Sequence, residues 1–362
     1  YTEVIFKICV QFLLTSAEVC SHNRFDPNTI LFKINGTKCN LNCRYCSETK
    51  KAYKESMCRE ECRDIMSALP TACDIILHGG EPLLDCNAVC EAISAFRERG
   101  TKSKLSIQTN GVIDAEMKDL LLKNSDILKI GISIDGPNNQ NKLRVDYYNN
   151  PVFKRVDETI SFFSQHSIQI KCIATVNSAN VHDPIGTLEY FLSHKNIKQV
   201  RFNPCFDMDD EGLADYAIRP LQFLEYTIKL VDYWIRHRTY RIVRIDPIQS
   251  EIEAVLSQTT QPYINCCKFI SVYPNGQSTI CDALGVEPFE YSSVSEIFTD
   301  AESKYMDIMN YPCKKCGDFA DCGGGCVAIF RRFSGRNELI QEYCNYRRKL
   351  KQYIKSVISE MG

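Results

Sequence analysis

Between residues 30 and 235 the apolar positions switch repeatedly between two periods. Short apolar runs occur at Ile30 to Asn35, Asp74 to Leu77, Lys104 to Gln108, Lys129 to Ile134, Ile168 to Val176 and Gln199 to Asn203. Between them lie longer stretches with apolar residues at helical spacing: Ser56 to Leu69, Asn87 to Arg99, Ala115 to Lys123, Lys154 to His166, Pro184 to His194 and Leu221 to Arg238. The first kind reads as strands and the second as amphipathic helices, so the pattern predicts six βα units: an α/β fold with a parallel sheet and crossover helices. An open sheet and a barrel both satisfy this order, and in either one ligands gather at the C-terminal ends of the strands. The only apolar run near the start, Ile5 to Leu14, is too short to span a bilayer and is interrupted by Lys7.

Composition narrows the class. The 362 residues, 44% hydrophobic and 24% charged, suit a globular chain of about two domains. Its 43 basic and 45 acidic residues are mixed along the chain, so no overall field favours nucleic acid or an anionic membrane. Twenty cysteines are far more than a chain of this size ordinarily carries. Half of them fall into two groups with metal-type spacing, and the chain is much longer than the small scaffolds in which disulfides replace a core. A reducing compartment, the cytoplasm, is the expected location.

The first group is Cys39-x3-Cys43-x2-Cys46, directly after the first predicted strand. Three thiolates this close can grip three corners of a [4Fe-4S] cube and leave the fourth iron open to a small molecule. Buried packing or zinc binding are the competing explanations for close cysteines. The loop resembles that of the radical S-adenosylmethionine (radical SAM) superfamily, which implies a partial (β/α)6 barrel in which SAM occupies the open iron and Tyr45 lies beside the adenine. His78-Gly79-Gly80-Glu81-Pro82, at the end of the second strand, looks like the family's GGEP element, which implies that Gly79, Gly80, Glu81 and Pro82 help hold the SAM amino group. Paired glycines allow a tight turn and close backbone approach, and Pro82 opens the next segment with a fixed φ. Gln108-Thr109-Asn110-Gly111 and Gly131-Ile132-Ser133-Ile134-Asp135-Gly136-Pro137 resemble elements lining the cofactor cavity, so Asn110, Ser133 and Asp135 are candidate SAM contacts. Their spacing of two places Ser133 and Asp135 on one side of a strand. Arg144 is a candidate partner of the SAM carboxylate, with a solvated loop arginine as the bland alternative, and Asn177 is a weaker candidate of the same kind.

The second group is Cys266-x9-Gly276-x4-Cys281, then Cys313-x2-Cys316-x5-Cys322-x3-Cys326, and finally Cys344. Its spacing is similar to the SPASM extension of a subgroup of radical SAM enzymes, against which a zinc ribbon is the alternative. The resemblance implies a distal auxiliary [4Fe-4S] cluster on Cys313, Cys316, Cys322 and Cys344, and a near one on Cys266, Cys281 and Cys326, giving three clusters with the SAM-binding one. The usual fourth ligand of the near cluster is missing, Thr260 standing in that neighbourhood, which leaves Cys267, substrate or water. The implied domains are an N-terminal segment 1–29, a barrel 30–238, an auxiliary-cluster domain 239–350 and a C-terminal helix end 351–362. Cys58/Cys62 and Cys86/Cys90 are i, i+4 pairs read as helix packing, and Cys205 ends the sixth strand where it can face the cavity.

The activity this implies is cleavage of SAM to a 5′-deoxyadenosyl radical that takes a hydrogen atom from an unactivated carbon, with the auxiliary clusters accepting the electron the substrate then loses. Asp282 matches the aspartate that serves as general base in sulfatase-activating relatives; a turn aspartate is the plain alternative. Those relatives usually carry an aromatic pair after the cluster loop, whereas Ser47-Glu48 resembles peptide maturases. A maturase of a ribosomally made precursor peptide is therefore expected, with an anaerobic sulfatase-maturating enzyme as the rival and a non-catalytic iron-sulfur carrier or scaffold as a reading from another class. The expected partners are the peptide or protein substrate, an electron donor such as flavodoxin or ferredoxin, and a separate leader-recognition protein, since only about 30 residues precede the loop.

Overall fold

In the computed structural model the described residues are 28–51, 53–256, 269–283, 290–291 and 312–361. Six parallel strands run in sequence order: β1 (Thr29–Lys33), β2 (Asp74–His78), β3 (Leu105–Thr109), β4 (Leu128–Ser133), β5 (Ile170–Val176) and β6 (Ile197–Pro204). The helices between them are α1 (Arg59–Ala68), α2 (Cys86–Glu98), α3 (Ala115–Lys123), α4 (Phe153–Gln165) and α5 (Pro184–Ser193), with α6 (Pro220–Arg236) after β6. All twelve expected elements are present, with ends displaced by up to three residues.

Along β1, β2 and β3 buried residues alternate with half-buried ones, so one face of the sheet is fully covered. Ile30, Phe32, Ile75, Leu77, Leu105, Ile107, Ile130 and Ile132 are all at most 2% exposed. Helix starts follow local chemistry: Asp85, Asp114 and Asp183 each accept a backbone N–H of the first turn, and Pro184 and Pro220 occupy the position where a missing N–H costs nothing.

The sheet does not stop with the sixth unit. β7 (Arg244–Asp246) adds parallel to β6, and β8 (Phe269–Val272) adds parallel to β1 from the opposite edge. Two further short strands, β9 (Ser278–Thr279) and β10 (Glu290–Tyr291), continue from β8 as an antiparallel meander, giving the order β10-β9-β8-β1-β2-β3-β4-β5-β6-β7. One sheet thus crosses the boundary expected at residue 238. The last described segment holds the short helices α8 (Phe319–Cys322) and α9 (Val327–Arg332), then the long α10 (Asn337–Met361), which packs along α6 and α7 (Ile248–Leu256). Phe206, Phe223, Phe333, Tyr343 and Tyr346 interlock there edge to face.

Candidate active site

The cluster loop is fixed by backbone bonds to the end of β2 and to the segment that follows β4. Gly80 N donates to Gly36 O at 2.9 Å and Glu81 N to Lys38 O at 2.8 Å, while Asn42 N and Arg44 N donate to Val145 O and Leu143 O at 2.8 and 3.0 Å. The paired glycines make the first contact possible: a Cβ on Gly80 would stand 2.0 Å from Lys38 O, and one on Gly79, whose φ is +127°, 2.6 Å from Gly36 O. What the glycines admit is therefore the cluster loop's own backbone.

Cys39, Cys43 and Cys46 are all half-buried on this loop. Cys39 Sγ accepts Leu41 N and Asn110 Nδ2, each at 3.4 Å. Burial pushes its thiol up to about 11 and raises that of Cys43 as well. Thiols held this way ionise readily only when a cation arrives. Asn110 also bonds Asn40 Oδ1, so the third strand's end orients the loop.

The polar candidates form two clusters. Glu81 is buried and accepts Leu83 N at 3.1 Å, Thr109 Oγ1 at 2.9 Å and Asn110 N at 2.7 Å; desolvation outweighs these donors and pushes its carboxyl up to about 7. Pro82 begins a single 3-10 turn, Pro82–Leu84, as its fixed φ predicts. Around Tyr45, Asp135 Oδ2 accepts the phenol at 2.6 Å and Asn177 Nδ2 at 3.4 Å, and Asp135 Oδ1 accepts Thr175 N at 3.0 Å. Arg144 Nη1 donates to Tyr45 Oη at 3.1 Å, while its buried Nε has no partner among the described residues. Arg144 is only 6% exposed, so it is not a solvated loop arginine. Strand β4 ends at Ser133, whose Oγ accepts Gln108 Nε2 at 2.8 Å. Asp135 lies two residues past that end, where Ile134 N still donates to Ile173 O at 3.0 Å, and the chain bends only after it, at Gly136 (φ +139°) and Pro137.

A third cluster was not foreseen beyond Asp282 itself. Lys33, the last residue of β1, is fully buried, and its Nζ lies 2.9 Å from Glu48 Oε1, 2.9 Å from Asp282 Oδ1 and 3.1 Å from His78 Nδ1. Lys51 Nζ spans the same two carboxylates at 2.7 and 2.8 Å, and Tyr273 Oη and Ser271 Oγ complete the set on Asp282 Oδ1 at 3.0 and 3.2 Å. Burial works to raise the Asp282 pKa, but the two ammonium ions overcome it and hold the carboxyl well below its ordinary range. Desolvation, with Lys33 beside it, drives His78 down to about 3, so this imidazole is neutral. The sequence carried no local signal for this cluster: Lys33 lies inside the expected strand Ile30 to Asn35, and its register with His78 exists only in the folded sheet. Asp282 is thus no plain turn residue.

Of the cysteines expected to hold auxiliary clusters, Cys313, Cys316, Cys322 and Cys344 line one cavity of about 220 Å³ with Phe330 and Tyr343. Cys281 and Cys326 both pack against the main core, and Cys266 and Cys267 lie outside the described residues. Gly276 (φ +71°) sits in the turn from β8 to β9. Cys205 is buried beside Ala214 and Ala217, with Tyr45 against the same cluster. Cys62 packs in the core, but Cys58 and Cys90 are exposed and Cys58 caps α1 instead of belonging to it, so the packing expectation fails for those two.

Residues 35–189 match the profile of the Radical SAM superfamily. A cysteine-type anaerobic sulfatase-maturating enzyme of Clostridium perfringens is 24% identical over 338 residues, spanning 83% of this chain and 89% of that protein. Among solved structures, anSMEcpe with bound AdoMet and Cp18Cys peptide superposes with a TM-score of 0.77 at 22% identity, covering 93% of this chain and all of that one. SuiB of Streptococcus suis bound to precursor peptide SuiA gives 0.63 at 16% identity, covering 91% and 77%. No described helix is long and apolar enough to cross a membrane.

Proposed function

We propose that this chain, an enzyme with a radical SAM domain over residues 35–189, modifies a side chain of a ribosomally made precursor peptide. The superfamily brings SAM and one [4Fe-4S] cluster; bound together, they supply reductive cleavage of SAM and hydrogen-atom abstraction. One observation carries the assignment of the site. The three half-buried thiols share a loop clamped beside Arg144, whose buried Nε has no partner among the described residues.

Cys39, Cys43 and Cys46 hold the SAM-binding cluster, with Asn110 orienting Cys39. The orphaned Arg144 Nε receives the SAM carboxylate, because a buried N–H left unpaired costs about 1–3 kcal/mol. Gly79 and Gly80, with Pro82, set the turn that carries the methionine end, and Glu81 locks the third strand's end to it. Asp135, itself met by Asn177, holds Tyr45 beside the adenine, and Ser133 is a further contact to the cofactor. Two auxiliary [4Fe-4S] clusters occupy the extension: the distal one on Cys313, Cys316, Cys322 and Cys344, whose cavity is several times the volume of a water molecule. The near one takes Cys266, Cys281 and Cys326. Asp282 accepts the substrate proton. It is held ionised, and among the described residues its hydrogen bonds and ion pairs all fall on Oδ1. The reaction suits a reducing cytoplasm, a flavodoxin or ferredoxin as electron donor, and a separate protein to present the leader.

Formylglycine formation is the second reading, favoured by the likeness to the sulfatase-maturating enzyme over 83% of this chain. The two separate in one experiment. Reconstituted enzyme with SAM and dithionite is expected to make 5′-deoxyadenosine yet leave a cysteine-containing sulfatase peptide unchanged by mass spectrometry. Formylglycine in that peptide would decide for the rival, and absence of 5′-deoxyadenosine would sink both.

A further inference from the structure

Helix α10 brings more than Cys344 to the cavity of the four distal cysteines. Arg347, three residues further along, lines the same cavity and is only 2% exposed. All three of its guanidinium nitrogens are engaged. Nε donates to Gly324 O at 3.3 Å, Nη2 to Cys322 O at 3.2 Å and Nη1 to Glu251 Oε1 at 2.6 Å. The first two bonds fall on a turn that carries a cysteine. Gly323 and Gly324 both take positive φ, +71° and +77°, as the chain leaves α8 at Cys322, and Gly324 N donates back to Cys322 Sγ at 3.3 Å. A left-handed pair of glycines has the widest conformational freedom in the chain, so the direction of the Cys322 sulfur depends on what ties that turn down. Arg347 meets the carbonyls at both of its ends.

The third bond orients charge. Glu251, on α7, is 7% exposed and is not among the residues that line the cavity, so the buried pair turns its positive end toward the cysteines. The neighbouring pair differs, because Arg348 and Asp318 both line the cavity and offset each other there. Lys351, one turn beyond Arg347, interacts with Glu251 and Cys322 as well, which keeps the excess of positive charge on the Cys322 side. Net charge near an iron-sulfur cluster and hydrogen bonding around its sulfurs both set its reduction potential. Four thiolates are strongly anionic, and a guanidinium beside them favours the form that has gained an electron.

We propose that Arg347 is the positioning residue of the distal cluster: it fixes the turn from Cys322 to Gly324 and, through the direction of its pair with Glu251, raises that cluster's reduction potential. The inference rests on the distal [4Fe-4S] cluster assigned above. It gives the two partners opposite electrostatic effects, since the guanidinium faces the cluster and the carboxylate stands behind it.

The test is a potentiometric titration of the reconstituted holoenzyme followed by paramagnetic resonance, in which the distal signal is the one that Cys316→Ala removes. Arg347→Gln is expected to lower the distal midpoint by about 59 mV or more, a tenfold change in a one-electron equilibrium. Glu251→Gln leaves the guanidinium and its two carbonyl partners in place but removes the opposing charge, so it should raise the midpoint. Arg347→Lys keeps the charge and loses the fork. Its midpoint should stay closer to wild type than that of Arg347→Gln, with slower iron uptake at the distal site. A merely structural role would not separate the two halves of the pair, because a loosened site responds the same way whichever partner is removed. Unchanged midpoints in both Arg347→Gln and Glu251→Gln at full iron content, or shifts of the same sign, would overturn the inference. If Arg347→Gln fails to hold the distal irons, Glu251→Gln decides alone: a raised midpoint supports the inference and an unraised one refutes it. A wild type with no signal that Cys316→Ala removes would refute the distal cluster itself, and the role of Arg347 with it.

Discussion

Replacing Lys33 by methionine removes one ammonium from the centre of the buried network and leaves its volume nearly filled. In the native chain two ammonium ions, Lys33 and Lys51, face two carboxylates, Glu48 and Asp282, all within 2.7 to 2.9 Å. After the change a single ammonium serves both acids, and Glu48, whose Oε2 has no partner among the described residues, is buried. Breaking a buried pair from one side typically costs about 3–5 kcal/mol, and Lys51, which remains, places the expected loss at the lower end, about 3 kcal/mol. Urea unfolding of the cluster-free chain followed by far-ultraviolet dichroism reads this, and a cycle with Asp282→Asn should give a coupling of about 2 kcal/mol. The pH dependence has a fixed sign. Asp282 has a depressed pKa in the folded state, so its contribution is present above the unfolded value and is lost as pH falls through the folded one. The gap between wild type and Lys33→Met should therefore be widest near neutrality and shrink in acid. A variant as stable as wild type at pH 7, or a coupling below about 0.5 kcal/mol, would refute the network as a unit.

Alanine at Cys39, Cys43 and Cys46 together should abolish 5′-deoxyadenosine formation and reduce the iron content from about twelve to about eight per chain, read by iron assay. Tightly bound zinc with roughly four irons in the wild type would contradict the auxiliary clusters. Glu81→Gln should remove a pH dependence: with a folded pKa near 7 against an ordinary 4.5, the cluster-free wild type loses about 3 kcal/mol of stability as pH rises through that window, and the variant does not. Gly80→Ala should displace the cluster loop and halt iron uptake at the SAM-binding site, seen as loss of about four irons, because its Cβ would collide with Lys38 O.

The six βα units were legible because each strand is apolar and each helix carries a stripe, patterns that survive in a single sequence. What lay beyond residue 238 was less so. β7 has three residues and β9 two, too short for a period to show. The turn from β8 to β9 did leave a mark, since Pro274-Asn275-Gly276, with positive φ at Asn275 and Gly276, forms a three-residue loop closed by Tyr273 N donating to Gln277 O. That β8 pairs with β1, more than two hundred residues earlier, is fixed by tertiary packing and has no local signature.

The site shows the same division. Cysteine spacing is a local property, and Cys39, Cys43 and Cys46 share one loop while the four distal cysteines share one cavity. Side-chain roles are not local. Asp135 could be placed near the cofactor from the end of its strand, but its two oxygens are taken by Tyr45, Asn177 and Thr175, so the proposed role toward SAM runs through Tyr45. Glu81 likewise spends its carboxylate on Leu83, Thr109 and Asn110, tying the second strand's turn to the third strand's end. Among these polar groups Arg144 differs, because only part of its guanidinium is used, and the unused Nε is buried where desolvation would otherwise go uncompensated. A donor in that condition is what a carboxylate ligand requires. Arg144→Lys keeps the charge but removes the fork, and should weaken SAM binding more than Ser133→Ala, whose hydroxyl is already satisfied by Gln108.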